Sequence, residues 1–201
     1  MGINKPKLII IAGPNGTGKT SVTDKILEHE WIEGCLYVNP DNIARDKFGD
    51  WNSPEAVIKA ANYAAELREQ CLVKCESLCF ETVLSSPDKI AFIRKAKNAG
   101  YFIRLFFVGT DSPEINSARI ARRVMEGGHD VPISKIISRY SKSIANCCVA
   151  LKIVDRGYVY DNSIDFKDPQ LLFRCSDGRI EKEYSEINLW AKGIYQELEK
   201  F

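Results

Sequence analysis

The residues best suited to chemistry form one short segment near the start of the sequence, Gly13-Pro14-Asn15-Gly16-Thr17-Gly18-Lys19-Thr20. It satisfies the pattern G-x-x-x-x-G-K-[ST], in which backbone N–H groups curl around a phosphate. In such a loop Lys19 reaches the β- and γ-phosphates of a nucleoside triphosphate, and the hydroxyl of Thr20 coordinates Mg²⁺. An ordinary glycine turn is the alternative interpretation.

The segments on either side of this loop are those that a phosphate site needs. Residues 7–12 are a short apolar run rich in β-branched side chains, typical of a strand buried on both faces. After the loop, Val22, Ile26 and Leu27 fall on one face of a helix, whose N-terminus favours anions. We therefore predict that residues 13–20, together with Ser21, bind ATP with Mg²⁺.

A second group of polar residues follows the apolar run 35–38. Asn39, Asp41 and Arg45 come where the carboxyl end of a parallel strand would place them beside a ligand. A carboxylate there can accept the proton of a substrate hydroxyl that attacks the γ-phosphate. We predict that Asp41 is this general base, with Asn39 and Arg45 in the substrate site. N-capping of a short helix by Asp41 is the alternative.

The next predicted strand, residues 78–82, ends in Glu81 and Thr82. An acidic residue at this place binds Mg²⁺ through water or holds a substrate hydroxyl. For Glu81 we favour a contact with the substrate.

Arginines are concentrated after the fourth predicted strand, residues 101–108. Arg119, Arg122 and Arg123 are spaced i, i+3 and i+4, so they can share a helix face. Because Gly127-Gly128-His129 breaks that helix, we predict a helical lid over about residues 112–142. In this lid the clustered arginines would bring positive charge onto the transferring phosphoryl group, where such an arginine can contribute ~10³–10⁵ in rate. A solvated basic helix face is the alternative.

The rest of the chain alternates apolar runs with helical patterns, which is typical of right-handed βαβ units. We predict one α/β domain over residues 1–201, with a doubly wound parallel sheet and helices on both faces. Ser134 is predicted to cap a long helix carrying Lys135, Arg139 and Lys142. A fifth strand over 157–162 precedes a C-terminal hairpin and helix over about 168–201.

Composition narrows the class of protein. The 201 residues are 45% hydrophobic and 27% charged with a net charge of +1, so we expect a globular cytoplasmic protein without a membrane segment. The near-neutral balance makes a nucleic-acid partner unlikely. Seven cysteines indicate a reducing compartment, and the spacing of Cys71, Cys75 and Cys79 does not suit zinc.

Five segments, in their order along the chain, resemble the zeta toxin family, and above all its short members. They are residues 13–20, 39–41, 80–82, 119–124 and 127–132, and the resemblance runs from about Lys7 to Asn162. It implies a P-loop kinase fold similar to that of chloramphenicol phosphotransferase. It also implies transfer of phosphate from ATP, with Mg²⁺, to a hydroxyl of UDP-N-acetylglucosamine or a related nucleotide sugar, and an antitoxin protein as partner.

By matching position, Asp41 resembles the family's base, Glu81 and Thr82 its substrate contacts, and Arg123 its lid arginine. His129 stands where the studied toxins carry a second lid arginine, and we place it with Arg119 in the predicted substrate site. Two other functions use the same loop. A non-catalytic ATP-binding switch needs no base, and a polynucleotide 5′-hydroxyl kinase needs a basic track beyond the lid.

Overall fold

The computed structural model describes residues 5–49, 53–128 and 130–200. Within these residues the strands are β1 (Lys7–Ala12), β2 (Leu36–Val38), β3 (Leu78–Thr82), β4 (Phe102–Gly109), β5 (Arg156–Asp161), β6 (Gln170–Ser176) and β7 (Arg179–Glu183). They form one sheet in the order β2-β3-β1-β4-β5-β6-β7. β1 to β5 run parallel, whereas β6 and β7 are antiparallel to their neighbours.

The helices of the described residues are α1 (Lys19–Leu27), α2 (Pro40–Phe48), α3 (Pro54–Lys74), α4 (Pro87–Asn98), α5 (Pro113–Met125), α6 (Ile133–Leu151) and α7 (Leu189–Glu199). Four of them begin at a proline, whose missing N–H has no intrahelical partner to lose at that position. The predicted cap at Ser134 is wrong. α6 begins at Ile133 after Pro132, with no side-chain cap, and Ser134 lies inside it.

The central strand β1 is buried on both faces because its side chains serve two cores. Leu8, Ile10 and Ala12 join the core beneath α3, α4, α6 and α7. Ile9 and Ile11 pack on the other face against Val22 and Ile26 of α1. Helices therefore cover both faces, and the doubly wound sheet predicted from the sequence is confirmed.

The apolar run 35–38 has the composition of a buried strand, but it forms only a short strand at the edge of the sheet. β2 lies at the edge of the sheet, where it pairs with β3 alone, and Leu36 is 45% exposed. Its one fully buried residue is Val38, 1% exposed. Three residues of edge strand are enough to aim the segment that follows at the carboxyl ends of β1 and β3.

The C-terminal hairpin and helix continue the same sheet and core. Asp177 and Gly178 both have positive φ, 48° and 80°, as a two-residue hairpin turn requires. α7 places Trp190 against Phe107, and its indole Nε1 donates to Asp161 Oδ1 over 2.8 Å. No helix of the described residues is long and apolar enough to span a membrane.

We expect Trp190→Phe to lower the free energy of unfolding by roughly 1–3 kcal/mol. The carboxylate of Asp161, 6% exposed, loses a donor that water cannot easily replace. The smaller phenyl ring also gives up part of the packing of the indole on Phe107 and Gly109. Urea unfolding followed by circular dichroism measures the change. Lys192→Ala, at an exposed position of the same helix, is the control. Equal midpoints in the two variants would show that this hydrogen bond adds no stability.

Candidate active site

Residues 13–18 form a loop between the carboxyl end of β1 and the first turn of α1. Gly18 is the N-cap of α1, and the first turn of this helix contains no acidic residue. The N–H groups and the positive end of the helix dipole are thus available to an anion. A Cβ at Gly16 would lie 2.5 Å from the carbonyl oxygen of Asn116, so only glycine lets the loop pack this closely on α5.

Side chains within the loop fix its shape. Lys19 Nζ donates to the carbonyl oxygens of Gly13 and Pro14 over 2.9 and 3.0 Å. The buried hydroxyl of Thr17 also donates to Pro14, over 3.1 Å. In contrast, Thr20 and Ser21 are exposed at the start of α1. Of the loop hydroxyls, that of Thr20 is therefore the better placed to meet a metal ion.

Charged groups from three other segments surround Lys19. Burial lowers the pKa of Lys19, and the carboxylates of Glu81 and Asp41 oppose that shift. The guanidinium of Arg123 adds to it. Two carboxylates and one arginine, drawn from β3, α2 and α5, thus lie within electrostatic reach of the loop ammonium.

The start of α2 presents Asp41. The side-chain oxygen of Asn39 accepts from the backbone N–H groups of Asp41 and Asn42, over 2.9 and 3.3 Å, so Asn39 is the N-cap. The alternative in which Asp41 caps the helix is wrong. Asp41 instead lies exposed in the first turn of α2.

Glu81 is held by three donors that converge on one oxygen. Its Oε1 accepts from the hydroxyl of Tyr37, from Asn39 Nδ2 over 3.2 Å and from Thr23 Oγ1 over 3.1 Å. Burial, reinforced by the bond to Glu81, raises the pKa of Tyr37 and keeps it a neutral donor. Because β3 pairs with β1 and Glu81 lies opposite Ile11, this carboxylate is fixed beside the phosphate loop.

The sequence analysis missed Tyr37 and Thr23. No motif around either residue indicates a functional role, since the sequence near Tyr37 is typical of a strand and that near Thr23 is typical of a helix. Thr82, which was predicted to touch substrate, is buried, and its hydroxyl accepts from the N–H of Leu84 over 3.0 Å. That bond supports the positive φ of 56° at Leu84. The contacts of Asn39 and Thr82 with substrate stay predictions.

The three arginines of α5 do not act as one group. Arg119 and Arg122 both bind Asp165, with N–O distances of 2.7 and 3.0 Å. Arg119 also donates to the carbonyl oxygen of Asn162 over 2.7 Å. Only Arg123 of the three is placed among the charges that act on Lys19. Their spacing allows a common helix face, but Asp165, in the loop after β5, binds Arg119 and Arg122, so the three arginines do not form one group.

The loop after β5 also contacts the phosphate loop. Asn162 Nδ2 donates to the carbonyl oxygen of Thr17 over 2.7 Å. A further unpredicted contact comes from α6, where Arg139 Nη1 lies 3.4 Å from Asn15 Oδ1. The predicted substrate residue Arg45 binds its exposed neighbour Asp46 over 2.6 Å. The predicted residue His129 lies outside the described residues.

The donor set near the loop fits Mg²⁺. Thr20 and Glu81 supply the hard oxygen ligands that this ion prefers. The described residues contain no group of three or more His, Cys, Asp and Glu side chains able to hold a metal ion. Mg²⁺ is usually held by one or two protein ligands, by water and by substrate phosphates, so the oxygens of Thr20 and Glu81 fit this ion.

Comparison with known proteins agrees with the fold. An uncharacterized protein of Haemophilus influenzae is 28% identical over 134 residues, which are 67% of this chain and 92% of that protein. The structure from the PezAT chromosomal toxin–antitoxin system of Streptococcus pneumoniae matches all of this chain and 87% of its own, with 18% identity and a TM-score of 0.62. The AvrRxo1-ORF1:-ORF2 complex solved with ATP matches 96% of this chain and 63% of its own, with 18% identity and a TM-score of 0.66.

The sequence itself identifies the family. The model of the zeta toxin family matches residues 2–165, which contain β1 to β5, the phosphate loop and the arginines of α5. The structural matches confirm the predicted P-loop kinase type of fold. The chain belongs to the zeta toxin family.

Proposed function

We propose that this protein is an ATP- and Mg²⁺-dependent kinase that phosphorylates a hydroxyl group of a small molecule. The observation that carries the proposal is the place of Glu81 at the end of β3 and of Asp41 in the first turn of α2, beside the phosphate loop that holds Lys19. Arg123 is within electrostatic range of that lysine. Membership of the zeta toxin family and the similarity to a complex solved with ATP support it. From the family resemblance we propose UDP-N-acetylglucosamine or a related nucleotide sugar as the acceptor.

Each residue has a distinct role in this proposal. The loop amides and Lys19 hold the β- and γ-phosphates, and Thr20 would hold Mg²⁺, which offsets phosphate charge. Glu81, whose carboxylate could also meet the water shell of the metal, would contact the substrate. Asp41 takes the proton of the acceptor's hydroxyl group while the oxygen of that hydroxyl forms a bond to the γ-phosphorus. The bond between the γ-phosphorus and the oxygen that bridges it to the β-phosphate breaks. ADP leaves with the electron pair of that bond. Arg123 stabilises the charge that develops on the transferring group.

The discriminating test is Asp41→Asn, which keeps the shape of the side chain but removes the proton acceptor. We expect MgATP affinity to persist, because the loop and Lys19 are unchanged. Transfer of labelled γ-phosphate to acceptor should fall by the ~10²–10⁴ typical of a lost general base. Asp24→Asn, at an exposed position on α1, should leave both quantities unchanged.

Transfer by Asp41→Asn at the wild-type rate would remove Asp41 from the role of general base. Wild-type protein that binds MgATP but phosphorylates none of a panel of sugar-nucleotide, sugar and polynucleotide hydroxyl acceptors would favour a non-catalytic switch instead. Measuring ATP affinity with and without Mg²⁺ separates a metal role of Asp41 from its role as base.

We also propose a protein partner of the antitoxin class and a cytoplasmic location. The similarity to a structure from a toxin–antitoxin system supports the partner. Co-purification of the tagged chain with the product of a neighbouring gene tests it.

A further inference from the structure

We propose that Arg139 is a second residue that contacts the γ-phosphate, held in place by α6. The inference deepens the proposed function and rests on it. Its starting point is the distance of 3.4 Å between Arg139 Nη1 and Asn15 Oδ1. Asn15 is part of the phosphate loop, so the guanidinium lies beside the surface that would receive the triphosphate.

Three hydrogen bonds fix the face of α6 that carries Arg139. Tyr140 donates to the carbonyl oxygen of Thr110, Ser143 to that of Val83 and Asn146 to that of Leu84. These carbonyls follow the carboxyl ends of β4 and β3. Ser143 and Asn146 stand four and seven residues after Arg139, on the same side of a helix. This side of α6 therefore faces the edge of the sheet where the phosphate loop lies.

Packing holds α6 at both ends. Cys147, Ala150 and Leu151 are fully buried in the main core. At the other end Ile136 packs with Ile120 and Val131 between α5 and α6. Arg139 lies between these contacts and is half-buried. A guanidinium on so rigid a helix can offer its fork of N–H donors to phosphate oxygens with little loss of entropy.

The other arginines of the predicted lid do not fill this role. Arg119 and Arg122 are held by Asp165. Among the arginines of residues 112–142, the structure brings Arg123 and Arg139 towards the phosphate loop. Arg139 can thus supply from α6 a second positive charge beside that of Arg123.

A contact with the γ-phosphate should distinguish ATP from ADP. We would measure the affinities of MgADP and of a magnesium complex of a non-hydrolysable ATP analogue by calorimetry. Arg139→Gln should weaken the analogue roughly ten- to a hundredfold, the range for a hydrogen bond between charged groups. MgADP affinity should stay within about twofold by the same reasoning. Arg139→Lys, which keeps the charge, should recover part of the loss.

The comparison of the two nucleotides separates phosphate contact from loop support. Lys142→Ala, at an exposed position one turn later on α6, is the control and should bind both nucleotides as the wild type does. If Arg139→Gln weakens MgADP and the analogue equally, Arg139 only supports the loop and the inference is wrong.

The failure of this inference and that of the kinase proposal give different results. Unchanged analogue affinity in Arg139→Gln would overturn the inference alone, with phosphoryl transfer by the wild type intact. A further outcome is that Arg139→Gln loses affinity for the analogue alone while the wild type transfers phosphate to none of the acceptors tested. That pair of results would support the phosphate contact of Arg139 and refute the proposed kinase activity. Wild-type protein that binds neither nucleotide would overturn both.

Discussion

Lys19→Ala is expected to abolish phosphoryl transfer and to weaken MgATP binding strongly. Lys19 is the one loop side chain that carries a positive charge, and Glu81 and Asp41 lie close to its ammonium. Without it, the two carboxylates face the incoming phosphates with no opposing charge from the loop. Calorimetry with MgATP and a transfer assay with labelled ATP measure the two effects.

Lys25→Ala is the matched control for this variant. Lys25 lies on the same helix, but its side chain is 61% exposed and pairs with Asp168 at the surface. Exposed ion pairs of this kind contribute little, about 0–1 kcal/mol, to stability. Wild-type affinity and turnover in Lys19→Ala would refute the assignment of the phosphate loop.

Arg123→Ala is expected to lower turnover by ~10³–10⁵ while MgATP affinity changes far less. The guanidinium is placed to act on charge that grows only as the phosphoryl group transfers, so its effect belongs to the transition state. Gly128 helps to set its position, since a Cβ there would lie 2.4 Å from Arg123 Cγ. Single-turnover rates, measured beside equilibrium binding, separate the two effects.

Arg122→Ala is the control because it removes the neighbouring arginine from the same helix. Arg122 binds Asp165, and its side chain is 46% exposed. Its loss should leave turnover near the wild-type value. A fall in MgATP affinity without a fall in turnover for Arg123→Ala would make Arg123 a ground-state binder and remove its catalytic role.

The parts of the site that could be predicted from sequence are those encoded locally. The glycines, Lys19 and Thr20 of the phosphate loop stand in one short segment between a strand pattern and a helix pattern. The positions of Asp41 and Glu81 followed from one rule, that parallel strands present their carboxyl ends to a ligand. The turn at Asp177 and Gly178 is likewise marked by residue type.

What the sequence did not disclose depends on pairing between distant segments. Tyr37 and Glu81 are 44 residues apart, Arg139 and Asn15 are 124 apart, and Asn162 and Thr17 are 145 apart. Residue spacing showed that Arg119, Arg122 and Arg123 can share a face, but not that Asp165 would hold two of them. The choice of partner depends on the order of the strands, which periodicity does not specify.

The place of β1 in the sheet has a consequence for the synthesis of the chain. β1 precedes both of its partners, since β3 ends at residue 82 and β4 at residue 109. At roughly 5–20 residues per second, the ribosome needs about 5–20 s to pass from the end of β1 to the end of β4. Until its partners are made, residues 8–12 are an uncharged apolar segment of the kind that aggregates when unprotected. The phosphate loop is therefore made early, whereas the segments that contact it, which carry Asn116, Arg139 and Asn162, are made late.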